Sequence, residues 1–431
     1  MIFLLFSIIT GTIVLLYYFF NKIITTPCIM ACMSFWIILL FDVFFGFFLE
    51  FDINFNTVSV ILGCLLAIII GNFVGEKIIG QKKVIERKLH SPFRIGNKLF
   101  IIYVIVTVLA LYITYSDFLV TAAMFNVSGN PELTYYFVRE ASLNGEDYHT
   151  FGVPQYMIIN DCLSSVIIFC IAYNAVFFGW RKYNNKLLIP VVFSLMNAIL
   201  TGGRTGLIIF AYYAICDIGI LLMIKYKHDK DYINKMFIRK IFGSFTGFLA
   251  IFFLLGFLRL GGDSNVDWLM LVFKYLGASI PALDQYLDGA IMVVRYPEWF
   301  GANSLFGIYK SLEMLGVYVP HLYAPAEFVY VAGDSTNIYT AIMRYINDFG
   351  FVSTIIIFFM CGMLYGWGHK NIIYNERIGF SIILYTFLSR PLCELAIEER
   401  LFMNIISISS IELLMVMYLI YVFFIRNVSY K

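Results

Sequence analysis

Charge is scarce in this sequence. Lys, Arg, Asp and Glu make up 13% of its 431 residues, while 61% are hydrophobic. A soluble domain carries roughly a quarter charged and half apolar residues, so the mean hydropathy of +0.83 excludes that class. Other absences narrow the field. Cysteine is missing from the long polar stretches: Cys28, Cys32, Cys64, Cys162, Cys170, Cys216, Cys361 and Cys393 nearly all sit in apolar runs. That leaves no disulfide framework and no Cys/His metal cluster. Cys28 and Cys32 are one helical turn apart with no histidine nearby, which reads as packing. No Walker-type phosphate loop or dinucleotide fingerprint is present, and no nucleic-acid partner or cofactor is expected. The first apolar run lacks a basic leader and a small-residue cleavage site, so it is expected to stay as a helix. No repeat of twenty to fifty residues appears, nor a doubled hydropathy pattern, which argues against a transporter built from two matching halves.

What the chain does have is long apolar runs. They cover about 2–20, 28–49, 57–75, 99–116, 156–180, 187–201, 205–224, 241–258, 349–366, 378–392 and 403–425. Runs of this length predict about eleven transmembrane helices, hence an all-α polytopic membrane protein. Most of its 30 basic residues fall on one set of connections: Lys22, the 77–98 stretch, Arg181 to Lys186, the 225–240 stretch, Lys370, Arg377, Arg426 and Lys431. Lysine predominates there. The positive-inside rule makes that face cytoplasmic, with the N-terminus outside and the C-terminus inside. The opposite face keeps Arg139, Arg204, Arg259, Lys274, Arg295, Lys310, Arg344, Arg390 and Arg400. Topology needs only charge, so this bias towards arginine points to forked recognition of phosphate or carboxylate. Pairing with nearby acids is the alternative.

The chain divides into residues 1–258, a membrane region with a first outer loop at about 117–155; a large, partly helical outer loop at 259–348; and a C-terminal membrane region, 349–431. Loops this long tend to be functional. In the large one, residues 266–286 have helical periodicity, with Pro281 kinking or ending the segment. Asp334-Ser335-Thr336-Asn337 reads as an N-cap cluster opening a helix over 338–346. Aromatic residues, Trp299 among them, stud the loop. Such rings stack on sugar faces and also belt membrane interfaces.

Several residues carry candidate chemistry. Thr201-Gly202-Gly203-Arg204-Thr205-Gly206 is a tight turn between two apolar runs. Its amides and Arg204 suit an anion at a helix N-terminus; a helix hairpin with a snorkelling arginine is the plainer reading. Arg344 and Asp348 are four apart and share a helix face, either as a structural pair docking the loop or as part of a site. Arg295 stands in an aromatic setting, and His321 is the outer-loop histidine nearest these residues. Arg139, Glu140, Glu146, Asp147 and His149 form a generic polar cluster. Asp42, Asp217 and Glu412 lie inside apolar runs, where acids serve function or bond across helices. Arg390, Glu394, Glu398, Glu399 and Arg400 line the last outer loop.

The Gly-Gly-Arg-Thr-Gly turn, the large outer loop, and Thr336-Asn337-Ile338-Tyr339-Thr340 leading to Asp348-Phe349-Gly350 resemble the O-antigen polymerases, Wzy-type polymerases of oligosaccharide repeat units. The resemblance covers most of the chain in layout and is specific at 201–206 and 334–350. It implies a GT-C-like membrane glycosyltransferase of the bacterial inner membrane. The growing glycan would pass from undecaprenyl pyrophosphate to a new lipid-linked repeat unit at the periplasmic face. Partners would be that lipid-linked oligosaccharide, the bilayer, and the pathway's chain-length regulator and flippase. It implies catalytic roles for Arg204, Arg344, Asp348 and His321, and substrate binding by Arg295, Arg139, Trp299 and Asp334, with no metal. A lipid-linked oligosaccharide flippase, an O-antigen ligase and a partner-binding scaffold are the alternatives.

Overall fold

The computed structural model describes residues 1–20, 25–49, 51–78, 91–126, 154–180, 182–200, 205–226, 273, 276–290, 299–319, 329–331 and 334–426. The apolar runs fold as helices: α1 Ile2–Phe19, α2 Pro27–Leu49, α3 Phe55–Ile78, α4 Asn97–Met124, α5 Pro154–Phe177, α6 Lys182–Leu200 and α7 Thr205–Lys225. Further along are α8 Ser279–Leu287, α9 Phe306–Met314, α10 Ala341–Tyr374, α11 Phe380–Ser389, α12 Pro391–Glu394 and α13 Ile408–Ile420, with π-helical turns at Leu401–Ile405 and Tyr421–Arg426. Among the described residues, six helices, namely α1 to α5 and α10, are long and apolar enough to cross a membrane. An unpaired backbone is costly in lipid, so helices are the form such runs must take.

The chain forms two compact units, each discontinuous in sequence. Unit 1 is residues 1–85, 267–377 and 387–411; unit 2 is residues 86–266, 378–386 and 412–431.

Unit 1 is built on a glycine-packed helix pair. Hydrophobic burial drives little association inside lipid, so close van der Waals packing must do it, and small residues permit that approach. Gly71 and Gly75 of α3 meet Gly362 and Gly366 of α10. A Cβ at Gly71 would lie 2.1 Å from the Phe359 carbonyl oxygen, and one at Gly362 would lie 2.2 Å from that of Ile68. The contacts advance together along both helices, so α3 and this part of α10 run parallel. Helix α1 runs alongside in the same direction, with Phe19 and Phe20 against Phe73 of α3. Helix α2 returns antiparallel; Trp36 Nε1 donates to Thr10 Oγ1 at 2.9 Å.

The segment entering α10 folds into this bundle. Gly350 breaks the helix with φ 76° and ψ 172°, a region open to glycine. Tyr345 and Phe358, on either side, stack edge to face at 5.9 Å. Thirteen residues of straight helix would separate them by about 20 Å, so the chain doubles back at Gly350. Ala341, Ile342, Met343 and Tyr345 are buried with residues of α1, α2 and α3. Helix α8 joins the same core and docks on the start of α3: Asp284 Oδ1 accepts from the Asn54 backbone N–H at 2.7 Å and Thr57 Oγ1 at 2.5 Å. A carboxylate at a helix N-terminus satisfies orphan N–H groups and the helix dipole.

Three expectations change here. Asp334–Thr336 is not a cap cluster but a strand, β2, paired antiparallel with β1, Val329–Val331. The helix opens later, at Ala341, after the Thr336 hydroxyl accepts from the Ile338 N–H. Pro281 sits in the first turn of α8 instead of kinking or ending a segment, since a first-turn proline loses no helical hydrogen bond. Helix α4 runs past Asp117 to Met124.

In unit 2, side chains bond across otherwise apolar helices. Asn174 of α5 clasps the Phe93 backbone by N–H and carbonyl, at 2.8 and 2.9 Å. Ser194 of α6 donates to Asn160 Oδ1 at 3.0 Å. Thr386 Oγ1 donates to Asp217 at 2.8 Å.

Candidate functional site

The end of unit 1 where α1 and α3 begin also carries the turn at 299–305 and the first part of α10. Arg344 and Asp348, one helical turn apart, both reach that turn. Asn303 Nδ2 donates to Asp348 Oδ1 at 3.0 Å, and the Ser304 backbone N–H donates to Oδ2 at 2.6 Å. Arg344 Nη1 donates to the Asn303 carbonyl at 3.2 Å. Their shared helix face therefore holds a loop in place, with Arg344 only 6% exposed.

An aromatic patch lies over this anchor. Trp299 and Tyr309 stack edge to face at 5.5 Å, and Phe300 and Phe349 meet at 5.2 Å. Tyr309 donates its hydroxyl to the Phe300 carbonyl at 2.6 Å. Burial, followed by the Asp348 charge, raises the Tyr309 phenol above its usual value. Phe300 is nevertheless 74% exposed. Gly301, at φ +68°, makes the turn; a Cβ there would lie 2.8 Å from Phe349. A large exposed ring held by a buried polar framework is suited to stacking on another flat apolar face.

The chain after α11 completes the site. Tyr365 donates its hydroxyl to the Leu388 carbonyl at 3.0 Å, and the Ala341 N–H donates to the Leu395 carbonyl at 2.9 Å. Residues 388–395 thus run beside α10. Glu399, 1% exposed, accepts from the Tyr345 hydroxyl at 2.7 Å and from the Phe402 and Met403 N–H groups at 2.9 Å. It caps the π-helical turn. Burial raises its carboxyl above the ordinary value despite these hydrogen bonds. Arg390 Nε lies 3.2 Å from both oxygens of Glu394. Arg400 bridges Glu394, Glu398 and Asn404. Arg344 is within electrostatic range of Glu398, Glu399 and Arg400. Ion pairs this sheltered hold geometry, and breaking one partner strands the other.

Other candidates fall elsewhere. Arg139, Arg204, Arg295 and His321 lie outside the described residues. Asp334 is in β2, opposite Val331. Asp217 bonds across helices, as above, and Glu412 is exposed on α13. Asp42 is fully buried in α2, and among the described residues neither carboxyl oxygen has a hydrogen-bond partner. His369 is buried on α10, which extends to Tyr374. Among the described residues no group of three His, Cys, Asp or Glu could hold a metal ion.

Two features escaped the sequence reading. The glycine pairs of α3 and α10 have the small-xxx-small spacing that signals close helix contact, and that signal was legible. Asn303, Ser304 and Tyr345 carry no motif; only their fold partners reveal them. No family model, curated protein or solved structure matches the chain.

Proposed function

We propose that this protein is a repeat-unit polymerase of O-antigen or a related polysaccharide. It would transfer a growing glycan from undecaprenyl pyrophosphate to a new lipid-linked repeat unit at the periplasmic face of the inner membrane. The observation that carries this reading is the aromatic patch of half-buried Trp299 and Tyr309 with exposed Phe300, fixed over Asp348, Asn303 and Arg344. Aromatic faces bind sugar rings, and this patch belongs to a protein with membrane-length helices. The resemblance at residues 201–206 and 334–350 supports the same reading, and brings with it about eleven spans and a GT-C-like arrangement.

In this proposal the acceptor hydroxyl attacks the anomeric carbon of the donor glycan. The bond from that carbon to pyrophosphate breaks, the leaving group takes the electron pair, and the hydroxyl proton passes to a base. Arg204 stabilises the departing pyrophosphate, with Arg139, Arg295 and Asp334 binding substrate; preorganised cations are strong where charge develops. Both Asp348 oxygens already accept hydrogen bonds, so Asp348 and Arg344 position the sugar-binding turn, and His321 is the proposed base. The chain-length regulator and flippase are its proposed partners.

The test is glycan analysis of cells carrying Phe300→Ala or Arg204→Ala. The expected outcome is inserted protein with single repeat units in place of long ladders. Wild-type ladders in both variants would refute the proposal. A second reading, a membrane scaffold, draws on Arg390 and Arg400, whose charges are met by Glu394 and Glu398. It expects normal glycans in both variants and in a strain lacking the gene.

A further inference from the structure

The opposite end of unit 1 holds a recess unrelated to the aromatic patch. It encloses about 450 Å³ between the ends of α1, α3 and α10 and the start of α2. That is within the size range of small-ligand sites, about 300–1,000 Å³. Its lining divides by chemistry. Phe19, Phe20 and Phe73 form one wall, with ring centroids 4.7 to 5.4 Å apart. Lys77, Lys370 and Glu76 also line it, with Thr26, His369, Ile373 and Tyr374. Lys370 Nζ donates to the Glu76 carbonyl at 2.7 Å, closing one of the orphan carbonyls at the end of α3. An ammonium has three donors, and this bond uses one. The Glu76 carboxylate is held back along α3 by Asn72 Nδ2, at 3.0 Å. Lys77 is exposed.

We propose that this recess binds the phosphate of an anionic phospholipid head group, with the first acyl carbons against the three phenylalanines. Three observations select that occupant. The two lysines outnumber the single acid. The aromatic wall continues into apolar helices whose runs stop here, at Phe19 and Ile78. Phe19 itself is 65% exposed, in the position of a side chain meeting acyl chains. A free phosphate ion would use the lysines but gain nothing from the rings. Basic groups near a membrane surface attract anionic lipid, and here two of them are fixed at a cavity.

Native mass spectrometry of the full-length protein, released from phosphatidylcholine nanodiscs containing phosphatidylglycerol, tests this. The wild-type protein should retain phosphatidylglycerol in preference to phosphatidylcholine. Lys77→Gln and Lys370→Gln should each weaken that retention about fivefold, leaving phosphatidylcholine unaffected. Lys77 is exposed and, among the described residues, its side chain makes no hydrogen bond or ion pair, so Lys77→Gln decides the matter even if Lys370→Gln fails to fold. Three results would overturn the proposal: no preference in the wild-type protein, unchanged retention in Lys77→Gln, or displacement by inorganic phosphate, which would make this a free-phosphate site. Glycan ladders are a separate readout, so failure here leaves the polymerase proposal standing.

Discussion

Glu399 shows how a single buried group becomes a measurable pH dependence. Its carboxyl is lifted above the ordinary 4.5, first by burial, while the Tyr345 hydroxyl and three backbone N–H groups pull the other way. A native value above the unfolded one means the folded protein holds the proton more tightly. Its contribution is therefore complete below about pH 4.5 and is lost as pH rises through the native value. Glu399→Gln, which cannot ionise, should remove that slope. Thermal unfolding in detergent at a series of pH values above 4.5 should show a smaller decline in Tm for the variant than for the wild type; equal declines would count against a raised Glu399. At this scale the sequence was partly informative. It singled out Arg344 and Asp348 as sharing a face, because helical spacing alone dictates that. It could not show that both reach Asn303 and Ser304, some forty residues earlier in the chain. No local pattern encodes a contact of that separation.

Among the elements, the pairing of α3 with α10 is the one most exposed to a single methyl group. Gly362→Ala would place a Cβ 2.2 Å from the Ile68 carbonyl, backbone against backbone, where no side chain can yield. Overpacking of this kind costs about 1–3 kcal/mol. Gly11, on α1, has nothing within 4 Å, and there alanine gains helix propensity of up to about 1 kcal/mol. The same substitution should thus lower Tm at Gly362 and leave it level or raised at Gly11. Matched losses at both positions would mean that the glycines do not hold the pair together. Helix existence was largely readable, since twenty-residue apolar runs in lipid have little alternative to a helix. The hairpin of β1 and β2 was not. Asp-Ser-Thr-Asn is as good a capping sequence as any, and the strand pairing with Val329–Val331 overrode it. The doubling back at Gly350 was equally hidden, because the helical pattern continues across it.

At the scale of the whole molecule, no sequence pattern foretells that the compact units are discontinuous along the chain. Hydropathy orders spans along the chain, whereas each unit gathers stretches from distant parts of it. The charge distribution does make a testable claim about orientation. In spheroplasts, a cysteine introduced at Tyr330, 74% exposed in β1, should react with a membrane-impermeant maleimide. One at Lys77, at the far end of α3, should react only after permeabilisation. Six of the eight native cysteines are buried and the other two half-buried, so background labelling should be low. The reverse pattern would invert the topology and put the aromatic patch on the cytoplasmic side.

The glycine-packed pair also constrains biosynthesis. Roughly 260 residues separate the end of α3 from the start of α10. At about 5–20 residues per second, α3 leaves the ribosome some 13–50 s before its partner. Through that interval its bared glycine groove must be shielded by lipid or by a transient companion. Substitutions in that groove are therefore expected to act on insertion during translation as well as on the finished bundle.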